Sequence, residues 1–297
     1  ALALARTDGV TIATFGDLVR VPGSAPLDSR DDPPTLALAR AKGADVRVVY
    51  SPRDALELAR KLPTRQVVFL GVGFETTAPT LAAAITEAAE HEIGNFTMLL
   101  AAKTIPTALQ LLATAADVRL DGLLCPGHVS IILGPEVYEP VVEQFGIPCA
   151  IAGFEPLEML RGLRELVGQI EDGSPRVANC YPGAVRPGGN RKARELVERV
   201  FVPCDAPWRG LGTIPSSGLA FRPKYQNLDA ASRFTVELPD PVEPKGCRCG
   251  DVLRGVIDPP DCGLFGTTCT PERPRGACMV SSEGSCAARY HYQLEQP

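Results

Sequence analysis

Six of the ten cysteines in this 297-residue chain are concentrated near its carboxyl end. Glycine, proline, threonine and serine dominate the surrounding segment, which has too few apolar residues to form a core of its own. A segment of this kind folds when a bound metal organises it. We therefore predict a ligand-dependent segment built on Cys247, Cys249, Cys262, Cys269, Cys278 and Cys286.

The spacing of these cysteines favours iron and sulfur over zinc. Structural zinc sites usually take ligands in close pairs two to four residues apart, and the only close pair here is Cys247 with Cys249. An iron–sulfur cluster needs four thiolates, which can come singly from loops. Two thiols are then left over. They form a redox dithiol beside the cluster, a structural disulfide or two buried free thiols.

Residues 10 to about 204 alternate short β-branched runs with helical periodicity. Strands that are apolar along their whole length are buried on both faces, and alternation with helices indicates parallel pairing. The longest predicted helix covers residues 156–171, with Leu160, Leu163, Val167 and Ile170 on one face. The pattern predicts an α/β fold with strands near residues 10–14, 46–50, 67–74, 96–101, 121–125, 148–154 and 175–181.

A Gly-Phe-Glu turn occurs twice, at residues 73–75 and 153–155. The offset suits two similar doubly wound α/β lobes, predicted over residues 1–95 and 96–205, followed by a connector and cysteine-rich segment over 206–297. Ligands of such sheets bind beyond the carboxyl ends of the strands. Glu75 and Glu155 either face a shared cleft there or place a negative charge at the first turn of the following helix, where the helix dipole favours it.

The four scattered cysteines carry weaker signals. Cys149 and Cys180 lie in or near predicted strands, where a small buried hydrophobe is the default interpretation; Cys204 is undetermined. Cys125 ends a predicted strand three residues before His128, so a Cys–His pair remains open. Nucleotide-binding, nucleophile-elbow and zinc-protease motifs are missing.

Composition argues against a nucleic-acid-binding protein, a membrane-spanning protein and a disulfide-stabilised secreted protein. A net charge of −5 gives no general attraction to nucleic acid, and no apolar run approaches the roughly 18 residues of a membrane span. A chain with ample core does not need a disulfide scaffold, so we expect a cytoplasmic protein. The first residues lack an initiator Met and have the pattern of the last turns of a helix, so we expect a longer natural protein.

Several long motifs resemble the HypD family of hydrogenase formation proteins. They include TFGDLVRVPGS, GFETTAPT, PGHVSIILG, AGFEPLEML, CDAPWRGLGTIPSSGL and PKGCRCGDVLRG, and they occur in order over essentially the whole chain. The resemblance implies a NiFe hydrogenase maturation factor. Such a factor works with a small HypC-like chaperone as the scaffold on which iron receives two cyanides and one carbon monoxide, and cyanide arrives from HypE and HypF.

The resemblance also implies roles for the cysteines, because the family's cysteine-rich end is similar to ferredoxin-thioredoxin reductase. Cys249 and Cys278 would form a redox dithiol that supplies electrons together with the cluster. The remaining four would bind a 4Fe-4S cluster: Cys247, Cys262, Cys269 and Cys286.

The resemblance further implies a cleft whose side chains hydrogen-bond cyanide nitrogens or orient the partner, namely Glu75, Thr76, Thr77, His128, Ser130 and Glu155. In this family a Cys-Gly-Gly-His motif and a Gly-Pro-Gly-Cys-Pro-x-Cys motif would supply the cysteine and histidine that hold the iron and further thiols in the cleft. Neither motif occurs in this sequence. Two other functions remain open: a free-standing thiol-disulfide oxidoreductase with a 4Fe-4S cluster, and a zinc-organised interaction module.

Overall fold

A computed structural model describes residues 1–23, 34–236 and 244–293. Strands in these ranges are β1 Val10–Thr14, β2 Val46–Val48, β3 Gln66–Gly73, β4 Phe96–Ala102, β5 Leu123–Pro126, β6 Cys149–Ala152, β7 Val177–Asn179, β8 Phe201–Trp208 and β9 Gly212–Phe221. Helices are α1 Leu36–Ala41, α2 Pro52–Lys61, α3 Ala78–Glu90, α4 Ile105–Thr114, α5 Gly127–Leu133, α6 Glu139–Phe145, α7 Pro156–Glu171, α8 Arg191–Val200, α9 Ala230–Arg233, α10 Cys249–Leu253 and α11 Ser285–Gln293. The α/β class is confirmed.

Four parallel strands form the first sheet, in the order β2-β1-β3-β4. Both of its faces are covered, which explains why β1 is buried along its whole length. On one face, Phe69 packs with the buried sides of α2 and α3, including Leu56 and Ile85. On the other, Ile12 and neighbouring strand residues pack against the chain's first residues and α1.

Three parallel strands form the second sheet, in the order β5-β6-β7. One face packs against α4 and α6 around Tyr138 and Ile151, which are fully buried. On the opposite face α7 crosses closely at Gly162, where an added Cβ would lie 2.7 Å from a Leu124 methyl carbon. All seven strands predicted from the sequence are present, although several are shorter than predicted.

The predicted boundary between residues 95 and 96 falls just before β4. This strand pairs with β3 in the first sheet, in register from Val67 opposite Phe96 to Gly73 opposite Ala102. The connector predicted over residues 237–246 lies largely outside the described residues. Among the described residues no helix combines the length and apolar character needed to cross a bilayer.

Strands β8 and β9 correct one expectation. After residue 205 the sequence predicts an irregular segment that winds along the α/β part, because glycines and prolines punctuate it. The structure instead has a long antiparallel hairpin with a register shift between Cys204 and Ala206. Proline cannot donate to a strand ladder, but an isolated two-stranded ribbon has an outer edge on each strand where proline is tolerated. Pro203 and Pro207 lie in β8 of this ribbon.

Helix α7 matches its predicted bounds, but its apolar face is exposed. Leu160 is 61% exposed and Val167 is 53% exposed, while Leu166 and Gly162 face the second sheet. Helical periodicity correctly identifies the helix, but it does not tell which face the chain itself covers.

This difference between helices predicts a difference in stability. Ile85 in α3 is fully buried, so Ile85→Ala should lower the free energy of unfolding by about 2–5 kcal/mol. Leu160→Ala in α7 removes an exposed side chain and should change it by less than about 0.5 kcal/mol. Urea titrations of both variants measure this. Equal losses would contradict the exposure of the α7 face.

Candidate metal and redox site

All six cysteines of the C-terminal segment line one small cavity. Its remaining wall is largely apolar and includes Val252, Leu264, Phe265 and Met279. Five of the cysteines are buried, and Cys247 is partly exposed. Residues separated by up to 39 positions therefore converge on one point, which spacing alone does not predict.

Inside the cavity the sulfurs contact one another in a row. The Cys249 thiol contacts those of Cys247 and Cys278, and the Cys278 Sγ lies 3.0 Å from the Cys286 Sγ. Two sulfurs are hydrogen-bonded at the margins: Cys269 Sγ accepts from the Arg275 amide at 3.3 Å, and Cys262 Sγ donates to the Gly246 carbonyl at 3.9 Å. Four of the sulfurs thus form a contiguous row, and Cys262 and Cys269 line the same cavity.

These contacts set the acidity of the two central thiols. Contact with Cys247 lowers the pKa of Cys249, but contact with Cys278 and burial outweigh it and raise the pKa to about 11. Contact with Cys249 lowers the pKa of Cys278, while contact with Cys286 and burial raise it to about 12. As free thiols, Cys249 and Cys278 therefore stay protonated at neutral pH.

The donor set fits an iron–sulfur centre. Six soft sulfur donors in an apolar pocket suit iron–sulfur clusters and other thiophilic metals, and they do not suit hard cations. Within the described ranges, however, no three His, Cys, Asp or Glu side chains are arranged around a point that could hold a single ion. Four of the sulfurs contact one another, and the cavity that all six line has a volume of only about 10 Å³, so a cluster would require the sulfurs to move apart.

Gly276 shapes one side of this cavity. A Cβ at this position would lie 2.6 Å from the Cys247 Sγ, closer than real Cβ contacts come. A glycine is therefore what allows the main chain at residue 276 to approach the sulfurs so closely. Sequence analysis did not single it out, because nothing in a Gly-Ala-Cys run signals a close approach.

Several contacts attach the cysteine segment to the rest of the molecule, including a hydrogen bond of 3.0 Å from the Arg119 amide to the Arg254 carbonyl. Arg254 Nε and Nη2 donate to the two carboxylate oxygens of Asp117, at 3.1 and 3.2 Å. At the tip of the β8–β9 hairpin, the Gly210 backbone lies directly against Gly250, so a Cβ at Gly250 would overlap the Gly210 carbonyl oxygen. Cys249 is thereby placed next to the hairpin.

Glu75 bonds to the start of a helix other than the one that follows it in the sequence. Its carboxyl group is buried, and Oε1 accepts a hydrogen bond of 2.6 Å from the Ile105 amide at the start of α4, not from its own following helix. Oε2 is buried without a hydrogen-bond partner. Burial raises the pKa of Glu75, because an unpaired carboxylate oxygen away from water favours the neutral form.

The other predicted cleft residues fall into two groups. Ser130 is buried, donating from Oγ to the Pro126 carbonyl at 2.9 Å and lying 3.1 Å from the Tyr138 hydroxyl. His128 is exposed, and its ring stacks 5.0 Å from that of Phe154. The remaining three lie at or just before helix starts: Thr76, Thr77 and Glu155.

The Tyr138 hydroxyl interacts electrostatically with both Ser130 and Glu75. Sequence analysis did not identify Tyr138 as a site residue. Burial and the Cys125 thiol raise the pKa of Tyr138, contact with Ser130 lowers it, and Glu75 raises it further. Glu75 follows the first sheet and Tyr138 packs on the second, so this buried polar group lies where the two sheets meet. No sequence motif marks a tyrosine in a short helical turn as part of such a group.

Cys125 and His128 are not a pair in the structure. The Cys125 side chain is buried against Cys149, and its Sγ donates to the Leu123 carbonyl at 3.7 Å, while His128 lies on the surface. Cys149 is fully buried as predicted, whereas Cys180 is partly exposed.

Comparison with known proteins identifies the family. The family model HypD, described as "Hydrogenase formation hypA family", matches residues 1–293. The chain belongs to the HypD family. It is 44% identical to the hydrogenase maturation factor HypD of Azotobacter vinelandii over 98% of this chain and 77% of that protein. It is 43% identical to HypD of Escherichia coli (strain K12) over 97% of this chain and 75% of that protein.

The close approach at Gly276 predicts how this HypD-family chain responds to one added methyl group. Gly276→Ala should displace Cys247 and expose sulfur, so native-state thiols should react faster with a disulfide reagent. Gly263→Ala is the matched control, because apart from its own residue and its chain neighbours no atom lies within 4 Å of its added Cβ. The time course of thiol modification measures this. Identical rates for both variants would contradict the packing described.

The buried carboxyl group of Glu75 should make the free energy of unfolding depend on pH. The folded-state pKa lies above the ordinary value of 4.5. As pH rises above that value the unfolded state loses its proton first, so stability falls until the folded pKa is passed. Glu75→Gln lacks this loss, so its stability relative to the parent should improve as pH rises from about 4 to 8. Denaturant titrations across this range test it, with exposed Glu90→Gln as control. A pH-independent difference for Glu75→Gln would refute buried protonation.

Proposed function

We propose that this chain acts in NiFe hydrogenase maturation as a scaffold and electron source. Its cargo is an iron that receives two cyanides and one carbon monoxide, and its partners are a HypC-like small chaperone and the HypE and HypF cyanide-delivery system. The observation that carries the proposal is the convergence of all six C-terminal cysteines on one cavity in a member of the HypD family.

Within this proposal the six thiols divide into two sets. Cys247, Cys262, Cys269 and Cys286 hold a 4Fe-4S cluster, which supplies one-electron transfer when bound. Cys249 and Cys278 form the redox dithiol. Contact between their thiols is consistent with the pairing, since a disulfide needs its two sulfurs to meet with little movement of the main chain. Cys247 and Cys286 also contact this pair and are assigned to the cluster by the resemblance to the family.

The dithiol chemistry balances for release of cyanide from a sulfur carrier. When the bond between Cys249 and Cys278 forms, two S–H bonds break and two electrons and two protons are released. The carrier's S–C bond breaks, its sulfur takes both electrons and one proton, and cyanide leaves as the anion. The second proton goes to solvent.

The iron cargo and partner would be received between two α/β lobes, one around each parallel sheet. Glu75, Thr76 and Thr77 follow β3, His128 and Ser130 follow β5, and Glu155 follows β6. All of them lie beyond the carboxyl ends of strands, where α/β sheets bind ligands. Exposed His128 is suited to contact a partner or bound cyanide, while buried Glu75 and Ser130 are suited to position the elements around it.

Matched serine variants test the division of the thiols. Cys247→Ser should lose most of its iron, because three thiolates rarely hold four irons, whereas Cys249→Ser should retain it. The same contrast is expected between Cys286→Ser and Cys278→Ser. Iron per chain after anaerobic reconstitution measures this. Full iron retention in Cys247→Ser, or loss in Cys249→Ser, would reverse the assignment.

Two further measurements separate the alternative functions. A zinc-organised module would bind zinc by elemental analysis and show no iron–sulfur absorption under anaerobic conditions. A free-standing thiol-disulfide oxidoreductase would retain the cluster, but deleting its gene would leave NiFe hydrogenase activity intact. We expect iron–sulfur absorption and loss of hydrogenase activity.

A further inference from the structure

A lysine and two aromatic rings meet at the carboxyl ends of β3 and β4. Lys103 directly follows β4, and its Nζ donates to the Pro207 carbonyl. The same Nζ lies 5.3 Å from the centre of the Trp208 ring, and the Trp208 ring lies 6.0 Å from that of Phe74. The hairpin fixes this arrangement, because Trp208 Nε1 donates to Ser217 Oγ at 2.7 Å and the Thr104 amide donates to the Ser217 carbonyl at 2.8 Å.

The charge of Lys103 is poorly compensated. Among the described residues no carboxylate lies within ion-pair distance of its ammonium group. Its neighbours are a carbonyl, a ring face and the partly exposed Cys204 thiol, and burial lowers the pKa of Lys103. An ammonium group has three donors, and the Pro207 carbonyl takes one. The remaining donors and an unbalanced positive charge are available at the strand ends, where α/β sheets bind ligands.

The surroundings restrict the kind of anion that would bind. Trp208 is half-buried, and Phe74 is 41% exposed. Their rings shed water easily, and the positively polarised edges of the rings can contact a weakly hydrated anion. Strongly hydrated sulfate or acetate would lose more hydration energy than one ammonium group returns.

We propose that Lys103, together with the rings of Trp208 and Phe74, binds a small polarisable anion of the thiocyanate type at the carboxyl ends of β3 and β4. This site involves neither the metal of the cysteine segment nor a partner protein. The proposal of this anion site is therefore independent of the proposed maturation function, and each can be tested without the other.

The chain supplies its own reporter for this site, because Trp208 is its only tryptophan. Potassium thiocyanate is titrated against potassium acetate at constant ionic strength, and Trp208 fluorescence is recorded. We expect a saturable change in the parent protein, with acetate alone producing none. In Lys103→Met the midpoint should move to at least about tenfold higher thiocyanate, and Lys103→Arg, which keeps the charge, should retain saturable binding.

Lys224→Met is the matched control. Lys224 Nζ also lies 5.3 Å from the centre of an aromatic ring, that of Tyr225, so this variant removes an equivalent ammonium group elsewhere and should leave the titration unchanged. Far-UV circular dichroism checks folding, and Lys103→Gln replaces the methionine variant if that one unfolds. Linear, unsaturable quenching in the parent, or an unchanged midpoint in Lys103→Met or its Gln replacement, would overturn the proposal.

Discussion

Packing of sulfur against sulfur takes the place of a hydrophobic core in the last fifty described residues. Helices α10 and α11 are short and the rest of the segment is irregular, so little regular hydrogen bonding holds it together. Its buried cluster consists mainly of cysteines with Met279 and Ala287. Any change in the bonding state of these thiols must therefore alter the fold of the segment as well as its chemistry.

The β8–β9 hairpin gives this segment a fixed place. Midway along β9 the hairpin bonds through the Ser217 carbonyl to Thr104, just after β4, and at its tip it contacts the helix that begins at Cys249. A single antiparallel ribbon therefore touches both the strand ends of the first sheet and the cysteine cluster. The two regions with the most distinctive chemistry in the chain are held against the same element.

The positions of the parallel strands could be predicted from the sequence, because each is a short apolar run bounded by turns. The prediction failed at the hairpin, because the glycines and prolines after residue 205, such as Pro207, indicate an irregular segment, whereas proline is excluded only from internal strands. For the site, cysteine number and spacing indicated a shared centre. They did not reveal the approach of Gly276, the burial of Glu75 under α4 or the cation above Trp208, since each depends on segments far apart in sequence.

The contact between Gly210 and Gly250 is made by main chain on both sides. Side chains can usually rotate to absorb a small displacement, but two peptide backbones pressed together have no rotamers to exchange. If the Cys249 thiol shifts as its bonding changes, the tip of the hairpin must follow or the contact must open. Trp208 lies two residues from that tip, so a displacement of the cysteine cluster is transmitted through the hairpin backbone to the indole.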